Sequence, residues 1–386
     1  MSRTILPGST IGVLGGGQLG RMLALAGGHM GYRFVVLDPT PDAPAGQVSG
    51  GQIVASYDDR EAARKLAAVS DVITYEFENV DAGVAQMLER EAYVPQGSRL
   101  LYTTQHRLRE KRAVEEAGVP VAPYEPVRSE EDLRAALGRL GTPCVLKTAT
   151  GGYDGKGQRV IRSESEVRNA FSELSGAELV LERFIRFRKE LSVIAARTPE
   201  GEVATFPPAE NVHAQNILHL SIVPARIPEE VQEEARRMAV RVAEALGVVG
   251  LVAVEMFWAG GDELYVNELA PRPHNSGHYT IEACATSQFE QHLRAVCGLP
   301  LAPTTLLTPV VMVNVLGEHL EQLVRMLLEG RLAASDGVVP KVHIYGKAEA
   351  KPGRKMGHVT LLAPDTDAAL RWVEETGLWE EQGGAA

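Results

Sequence analysis

Apolar runs and glycine-rich turns alternate along the first third of the chain. The run Thr10–Leu14 enters the cluster Gly15–Gly20, a helix-like segment follows at Arg21–His29, and a second apolar run comes next at Arg33–Asp38. This order predicts a βαβ unit with a parallel sheet. The run Val72–Glu76 predicts a further strand of that sheet, at whose carboxyl end a ligand site is expected in an open α/β fold.

The rest of the chain mixes helical and strand periodicities. Helices are predicted at Thr104–Ala117, Glu130–Leu140, Glu164–Leu174, Glu229–Leu246, Glu282–Val296 and Thr366–Glu375. Strands are predicted at Pro143–Lys147, Arg159–Arg162, Glu178–Phe184, Glu190–Ala196, Leu251–Trp258, Glu263–Leu269, Val310–Leu316, Val342–Tyr345 and His358–Leu362. We therefore predict an α/β protein with α+β elements and three domains: Rossmann-like residues 1–105, a central domain with a glycine-loop subdomain at 106–300, and small β-rich residues 301–386.

Composition narrows the classes of function. The 386 residues are 45% apolar and 23% charged, as in an ordinary globular protein, and the net charge of −11 argues against a nucleic-acid-binding surface. Cys144, Cys284 and Cys297 lack metal-binding spacing, so we expect reduced thiols. Neither a membrane span nor a secretory leader is indicated, and the cytoplasm is the expected compartment.

The segment Lys147–Gln158 contains four glycines within seven residues. Such a cluster costs folding entropy unless the close approach of a ligand compensates. Lys147 ends a predicted strand and Lys156 lies inside the loop, where both could neutralise phosphate oxygens. The Walker pattern is absent. We predict a mobile glycine loop that closes over a polyphosphate, with a solvated hairpin tip as the alternative.

Two glutamates flank a predicted hairpin. If residues 261–262 form a two-residue turn, Glu255 lies directly opposite Glu268. Opposed like charges are destabilising, and Mg²⁺, or Mn²⁺ in its place, would remove the conflict. Asn267 points to the other face in this register, or the strand ends near it. A different register would leave two ordinary solvated glutamates.

Three other segments carry candidate chemistry. The pattern G-x-G-x-x-G at Gly15–Gly20, with Asp38 after the second strand, taken alone predicts an NAD site, although a tight strand-to-helix turn also explains it. The polar loop Pro271–Tyr279 contains an arginine suited to phosphate or carboxylate and two histidines of either structural or functional role. The basic residues of Tyr345–Lys347 and Lys351–His358 indicate either a pocket for a phosphorylated substrate or a solvated turn.

Taken together, the segments 151–158, 267–278 and 351–358 resemble the ATP-grasp superfamily. More closely, they resemble its 5-(carboxyamino)imidazole ribonucleotide synthases of purine biosynthesis, and the likeness runs from the Gly15 loop to about Leu362. The resemblance implies an ATP-grasp fold, a homodimer, and a reaction in which ATP phosphorylates bicarbonate to carboxyphosphate. That intermediate, or CO₂ released from it, would carboxylate 5-aminoimidazole ribonucleotide.

The resemblance also implies residue roles. ATP would be bound by Arg107, Lys147, Gly152, Tyr153, Asp154, Gly155, Lys156, Gly157, Gln158, Glu182, Arg183, Phe184, Ile185, Glu190, His213, Asn267 and Glu268. The ribonucleotide would be bound by Glu76, Tyr153, Asp154, Arg272, His274, Asn275, Ser276, Lys347, Arg354 and Lys355. Glu255 and Glu268 would hold Mg²⁺, and Lys156, Arg272 and Lys347 are the candidate catalytic residues. His106 stands where the family pattern has aspartate, but Arg107 is present.

Three alternatives remain open. Another ATP-grasp ligase of this layout, such as a formate-dependent glycinamide ribonucleotide transformylase or a biotin carboxylase, would share most of these motifs, although Lys351–His358 favours the imidazole enzyme. An NAD-dependent oxidoreductase rests on the Gly15 loop alone. A catalytically inactive nucleotide-binding regulator would not need the intact lysines and both glutamates.

Overall fold

The structure, a computed structural model, describes residues 3–152 and 155–379. Its first layer is a parallel sheet of order β3-β2-β1-β4. The strands are β1 (Thr10–Leu14), β2 (Arg33–Asp38), β3 (Gly51–Val54) and β4 (Val72–Tyr75), and the helices of this part are α1 (Gln18–His29), α2 (Arg60–Ala68), α3 (Ala82–Glu91), α4 (Arg99–Thr104) and α5 (Arg107–Glu116). Strands β1 and β4 are almost completely buried, as expected of parallel strands covered on both faces. The predicted βαβ unit is confirmed.

A small antiparallel sheet of order β5-β8-β6-β7 follows. Its elements are β5 (Tyr124–Val127), α6 (Glu130–Leu140), β6 (Cys144–Thr148), β7 (Gln158–Ile161), α7 (Val167–Leu174) and β8 (Leu179–Arg183). Leu146, Ile161 and Leu181 pack into one core cluster with residues of α6 and α7. Because successive strand residues point to opposite faces, the neighbouring residues Lys147 and Glu182 lie on the face away from this core.

The large sheet has nine strands in the order β14-β13-β9-β11-β12-β15-β17-β16, with β10 paired to β9. Its strands are β9 (Lys189–Arg197), β10 (Val203–Thr205), β11 (Ala209–Ala214), β12 (Ile217–Val223), β13 (Gly250–Gly260), β14 (Glu263–Ala270), β15 (Val310–Leu316), β16 (Val339–Ile344) and β17 (Lys355–Leu362). The accompanying helices are α8 (Glu229–Ala245), α9 (Thr280–Ala283), α10 (Gln288–Val296), α11 (Gly317–Leu328) and α12 (Thr366–Thr376). The strands beyond residue 301 thus extend the central sheet, because β15 pairs with β12. The three-domain division stays a prediction.

Two predicted helices differ in their bounds. The helix predicted at Thr104–Ala117 is present as α5 but begins three residues later, because α4 ends at Thr104 and the Arg107 amide donates to the Ala149 carbonyl, 2.9 Å away in the glycine-loop region. The helix predicted at Glu282–Val296 divides into α9 and α10, where the Ser287 side chain caps α10. None of the helices in the described part of the chain is long and apolar enough to cross a bilayer.

Candidate active site

The glycine loop between β1 and α1 is filled by the protein's own carboxylates. The amides of Gly17 and Gly20 donate to Glu76 at 2.5 and 2.6 Å, and the Gly16 amide donates to Asp38 at 2.8 Å. A Cβ atom on Gly17 would lie 2.7 Å from Glu76 Oε1. Because the anion-binding amides already have acceptors, the glycines serve the approach of Glu76, and the NAD alternative loses the motif on which it rested.

The hairpin β13–β14 confirms the predicted carboxylate pair. Gly260 pairs with Glu263 and Glu255 pairs with Glu268, as a two-residue turn requires. Between these pairs the register shifts twice, and the two shifts cancel. Asn267 is the residue that the shifted register skips, and its buried Oδ1 has no hydrogen-bond partner in the part of the chain that the structure describes.

The residues around this pair fit a hard divalent cation. Two opposed carboxylates and an unpartnered amide oxygen are the oxygen ligands that Mg²⁺ prefers. Glu255 lies 3.0 Å from His274 Nε2 and Glu268 lies 3.2 Å from Arg107 Nη1. Across residues 3–152 and 155–379, no group of three or more His, Cys, Asp or Glu side chains is arranged to hold a metal ion. The protein would therefore supply part of the coordination shell and leave the rest to water or phosphate.

A buried group of three charges lies on the small sheet. The Glu182 carboxylate lies 3.0 Å from Lys147 Nζ and 3.2 Å from Lys111 Nζ, and all three side chains are buried. Burial alone would raise the pKa of Glu182, but the two lysines outweigh it and lower the pKa to about 2. Burial also lowers the pKa of Lys147. This arrangement fixes the Lys147 ammonium beside Glu182, on the strand that leads into the glycine loop.

Helix α5 supplies two buried titratable side chains that were not predicted from the sequence. Lys111 completes the group around Glu182, and Glu110 Oε2 accepts a hydrogen bond of 3.2 Å from the Leu269 amide, next to Glu268. Burial and the neighbouring Glu268 raise the pKa of Glu110 to about 8. The signal available in the sequence was their spacing, since both follow Arg107 by about one helical turn.

The second glycine loop contacts two other elements. A Cβ on Gly152 would lie 3.4 Å from Arg107 Nη2, and a Cβ on Gly155 would lie 2.5 Å from the Asn216 side chain at the tip of the β11–β12 hairpin. The Thr148 amide donates to the Gly157 carbonyl at 2.8 Å, Lys156 is exposed, and Gln158 opens β7 opposite Lys147. A cavity of about 420 Å³ adjoins the loop, lined by Gly155, Gln158, Arg159, Val160, Arg162, Glu166 and Asn216. Tyr153 and Asp154, predicted for both substrates, lie outside the described residues.

The strand that leaves the small sheet is held by main-chain hydrogen bonds at its end. The amides of Arg183 and Phe184 donate to the carbonyls of Pro123 and Pro143. The predicted ATP-binding segment Glu182–Ile185 thus covers the end of β8 and the two residues that follow it.

On the large sheet, Glu190 and His213 meet at 2.5 Å across β9 and β11. Glu190 is also the partner of Phe257 on β13, two residues beyond Glu255, so these three side chains share one face. Phe257 stacks on Phe187 with ring centroids 4.7 Å apart and an interplanar angle of 6°. Sequence reasoning missed Phe257, although its period-two spacing from Glu255 placed it on the same face.

The loop after β14 folds back on the carboxylates. Arg272 pairs with Glu78, and His274 bridges Glu255 at 3.0 Å and Ser276 Oγ at 2.8 Å. Asn275 and Ser276 are buried. The other histidine of this loop, His278, is completely buried, and its ring centroid lies 4.8 Å from that of His358. Of the two roles considered for the loop histidines, these contacts favour the structural one for His278.

The predicted basic patch lies between β16 and β17. Lys347 Nζ donates to the Lys355 carbonyl at 2.7 Å, and Arg354 donates to the Glu349 carbonyl at 2.9 Å. Burial, and then the charge of Arg354, lowers the pKa of Lys347 to about 8, while Glu76 acts in the opposite direction. Glu76 also interacts electrostatically with Arg272. The structure thus brings Glu76, Arg272 and Lys347, which are far apart in sequence, to one place.

Two antiparallel sheets that enclose a glycine loop, a buried lysine–glutamate pair and an opposed carboxylate pair define an ATP-grasp enzyme. Residues 112–289 match the family described as ATP-grasp domain. Residues 8–105 match the ribonucleotide synthetase preATP-grasp domain, and residues 310–371 match the phosphoribosylaminoimidazole carboxylase C-terminal domain.

Known relatives specify the family further. The chain is 50% identical over 386 residues to the N5-carboxyaminoimidazole ribonucleotide synthase of Bacillus subtilis (strain 168), covering 100% of this chain and 99% of the relative. An ADP complex of an N5-carboxyaminoimidazole ribonucleotide synthetase superposes with a TM-score of 0.95 at 55% identity, covering 99% and 100% of the two chains. The Aspergillus clavatus enzyme in complex with ADP and 5-aminoimidazole ribonucleotide gives a TM-score of 0.87 at 33% identity, covering 95% and 97%. The chain belongs to the N5-carboxyaminoimidazole ribonucleotide synthase family.

Proposed function

We propose that the protein uses ATP and bicarbonate to convert 5-aminoimidazole ribonucleotide into N5-carboxyaminoimidazole ribonucleotide, in de novo purine synthesis. The observation that carries the proposal is the opposed pair Glu255 and Glu268, with the unpartnered side-chain oxygen of the adjacent residue Asn267. Bicarbonate oxygen attacks the γ-phosphorus of ATP, ADP leaves, and carboxyphosphate forms. The exocyclic amine then attacks the carbon of carboxyphosphate, with loss of phosphate, or the carbon of CO₂ after carboxyphosphate has released CO₂ and phosphate. In both routes the amine loses a proton.

The ATP site follows from the contacts of the two sheets. Lys147 and Lys156 neutralise phosphate oxygens, and the loop 151–158 excludes water from the labile carboxyphosphate. The Ile185 amide would donate to adenine, whose ring would pack over the face that carries Phe257. Glu190 accepts from the ribose hydroxyls, with His213 holding its carboxylate. Phosphoryl transfer needs positioning and charge neutralisation above all, which this set supplies.

Glu255, Glu268 and Asn267 would hold Mg²⁺, which when bound neutralises the developing charge on the transferred phosphoryl group. Arg107 already approaches Glu268 and would face the same phosphate. The ribonucleotide lies between Glu76, Arg272 and the loop 345–355, where its phosphate meets Lys347, Arg354 and Lys355. Lys156, Arg272 and Lys347 are the cations nearest the carboxyl transfer. The homodimer and the cytoplasmic location stay predictions.

The direct test is ADP release with Mg-ATP and bicarbonate, with and without 5-aminoimidazole ribonucleotide. We expect strong stimulation by the ribonucleotide, because the phosphorylated intermediate is used only when the amine is present. Replacing bicarbonate by formate, with glycinamide ribonucleotide as acceptor, serves as the control for the related transformylase. Stimulation by glycinamide ribonucleotide alone would transfer the substrate assignment to that enzyme.

The affinity for the ribonucleotide is expected to fall above about pH 8. Lys347 is protonated below its pKa of about 8 and neutral above it, so its attraction for a phosphate dianion disappears as the pH rises. KM for the ribonucleotide should rise by up to roughly tenfold between pH 7 and pH 9 if only the protonated form binds. Steady-state kinetics at saturating ATP measures this, with Lys347→Arg as the control whose charge persists. A KM independent of pH in the wild type would remove Lys347 from the phosphate pocket.

A further inference from the structure

The loop that carries Lys347 is held from the opposite end of the chain. The Gln47 side chain, 299 residues away in sequence, donates from Nε2 to the Gly346 carbonyl at 2.9 Å. Gln47 itself follows the loop after β2 and belongs to the N-terminal part of the molecule. The hydrogen bond therefore joins the first and last parts of the chain at the residue before the substrate-binding lysine.

Gln47 is oriented by several partners of its own. Its Oε1 accepts from Arg21 Nη1 at 3.1 Å, and its Nε2 also donates to the carbonyl and the carboxylate of Asp42, at 3.1 and 3.2 Å. Arg21 is fixed in turn by the Pro44 carbonyl at 3.0 Å. Because both ends of the amide are engaged, its orientation is defined even though the side chain is exposed.

Gly346 is shaped to receive this contact. Its φ is +76°, a conformation that L-residues adopt at a cost, and a Cβ there would lie 2.4 Å from Gln47 Oε1. On the other side of the loop, Tyr345 is buried and its hydroxyl meets His358 Nδ1 at 2.8 Å. Gly346 is exposed, so among its neighbours Gln47 is the group that fixes the outer side of the turn.

We propose that Gln47 is a positioning residue for Lys347 and thereby sets the affinity for the ribonucleotide. It does so by holding the Gly346 carbonyl, so that the Lys347 ammonium stays between the N-terminal sheet and the β16–β17 loop. The inference rests on the proposed function, because it requires that Lys347 bind the phosphate of the substrate. Gln47 lies outside the ATP residues, so the effect is specific to one substrate.

The proposal predicts a change in two separate quantities. Gln47→Ala removes one neutral hydrogen bond from the loop, so KM for the ribonucleotide should rise about fivefold. KM for ATP should stay within about twofold of the wild-type value, since no ATP ligand is moved. The charged groups that face the Lys347 ammonium are Glu76, Arg354 and Lys355. When the loop relaxes toward water, Lys347 is less buried, and the alkaline limit of ribonucleotide binding should shift to higher pH.

Gln52→Ala is the matched control. Gln52 belongs to the same segment and makes two main-chain hydrogen bonds, to the Thr40 carbonyl at 2.7 Å and from the Ala43 amide at 3.1 Å. Its side chain has no such bond to the loop 345–347. If Gln47→Ala acted only by loosening the segment after β2, Gln52→Ala would give the same kinetic change, and the proposal would be overturned.

A second pair of variants changes the Gly346 side of the contact with Gln47. Gly346→Ala should raise KM for the ribonucleotide as Gln47→Ala does, because the new methyl group displaces the glutamine. Gly330→Ala has a similar φ of +70° with nothing within 4 Å, so it reports the backbone strain alone. An unchanged ribonucleotide KM and pH limit in Gln47→Ala would overturn the inference. If Lys347→Met also left the ribonucleotide KM unchanged, the assignment of Lys347 to the substrate phosphate would be wrong. If Lys347→Met raised this KM and Gln47→Ala did not, only the positioning role of Gln47 would be wrong.

Discussion

Replacing Glu268 by glutamine should lower Mg-ATP turnover by at least about a hundredfold, equivalent to roughly 3 kcal/mol or more in the barrier. Glutamine keeps the shape of the side chain but removes an anionic ligand from the pair Glu255 and Glu268. It also leaves Arg107, 3.2 Å from the carboxylate, without its partner. The measurement is kcat at saturating substrates over a series of Mg²⁺ concentrations, together with calorimetric titration of ADP at each concentration.

Glu263→Gln is the control for this variant. Glu263 lies on the same strand, exposed beside the turn, and its charge faces solvent. Its loss should leave turnover and the Mg²⁺ dependence of ADP binding near the wild-type values. Near-wild-type turnover in Glu268→Gln, with unchanged Mg²⁺ dependence of ADP binding, would contradict the assignment of the metal ligands.

Replacing Glu182 by alanine should lower the free energy of unfolding by about 3–5 kcal/mol, because it leaves two buried ammonium groups without a counterion. Lys111 is 1% exposed and Lys147 is 8% exposed, so water cannot compensate either charge in place. ATP binding should be lost as well, since Lys147 would lose the carboxylate that fixes its ammonium. Urea denaturation followed by tryptophan fluorescence gives the stability, and calorimetry with ADP gives the binding.

An exposed ion pair provides the comparison for Glu182. Glu125→Ala breaks the pair with Arg139, whose side chain is more than half exposed, and should cost no more than about 1 kcal/mol. The pH dependence is a second check. The pKa of Glu182 is about 2, below that of a free glutamate, so its stabilisation is complete above the unfolded-state pKa and declines as the pH falls from about 5 toward 2. A variant as stable as the wild type at pH 7 would contradict a net stabilising role.

The register of the metal-binding hairpin could be predicted because it is a local property. A two-residue turn fixes which residues face each other, so Glu255 and Glu268 were placed opposite one another from sequence alone. The two register shifts between them could not be predicted, because Asn267 is displaced by contacts outside the hairpin, such as the Val266 amide with the Pro120 carbonyl. Asn267 Oδ1 is buried and has no hydrogen-bond partner among the described residues.

Helix boundaries also depend either on local sequence, which can be predicted, or on distant contacts, which cannot. The helix Glu130–Leu140 was predicted with the bounds that the structure has. The Ser129 side chain that caps it and the glycine that follows it are both adjacent to the helix in sequence. The start of α5 was predicted three residues too early, because it depends on the Arg107 amide bonding to Ala149, a partner distant in sequence.

By itself the sequence determined the parallel βαβ start, the glycine loop, the opposed carboxylates and the family resemblance, since each depends on short-range spacing. Only the tertiary structure decided which distant residues these segments contact. The Gly15 loop binds Glu76 and Asp38 instead of a dinucleotide, Lys111 joins Lys147 at Glu182, and Gln47 reaches Gly346. These contacts join residues far apart in the chain, and their energies come from burial and charge compensation, which exist only once the sheets have packed together.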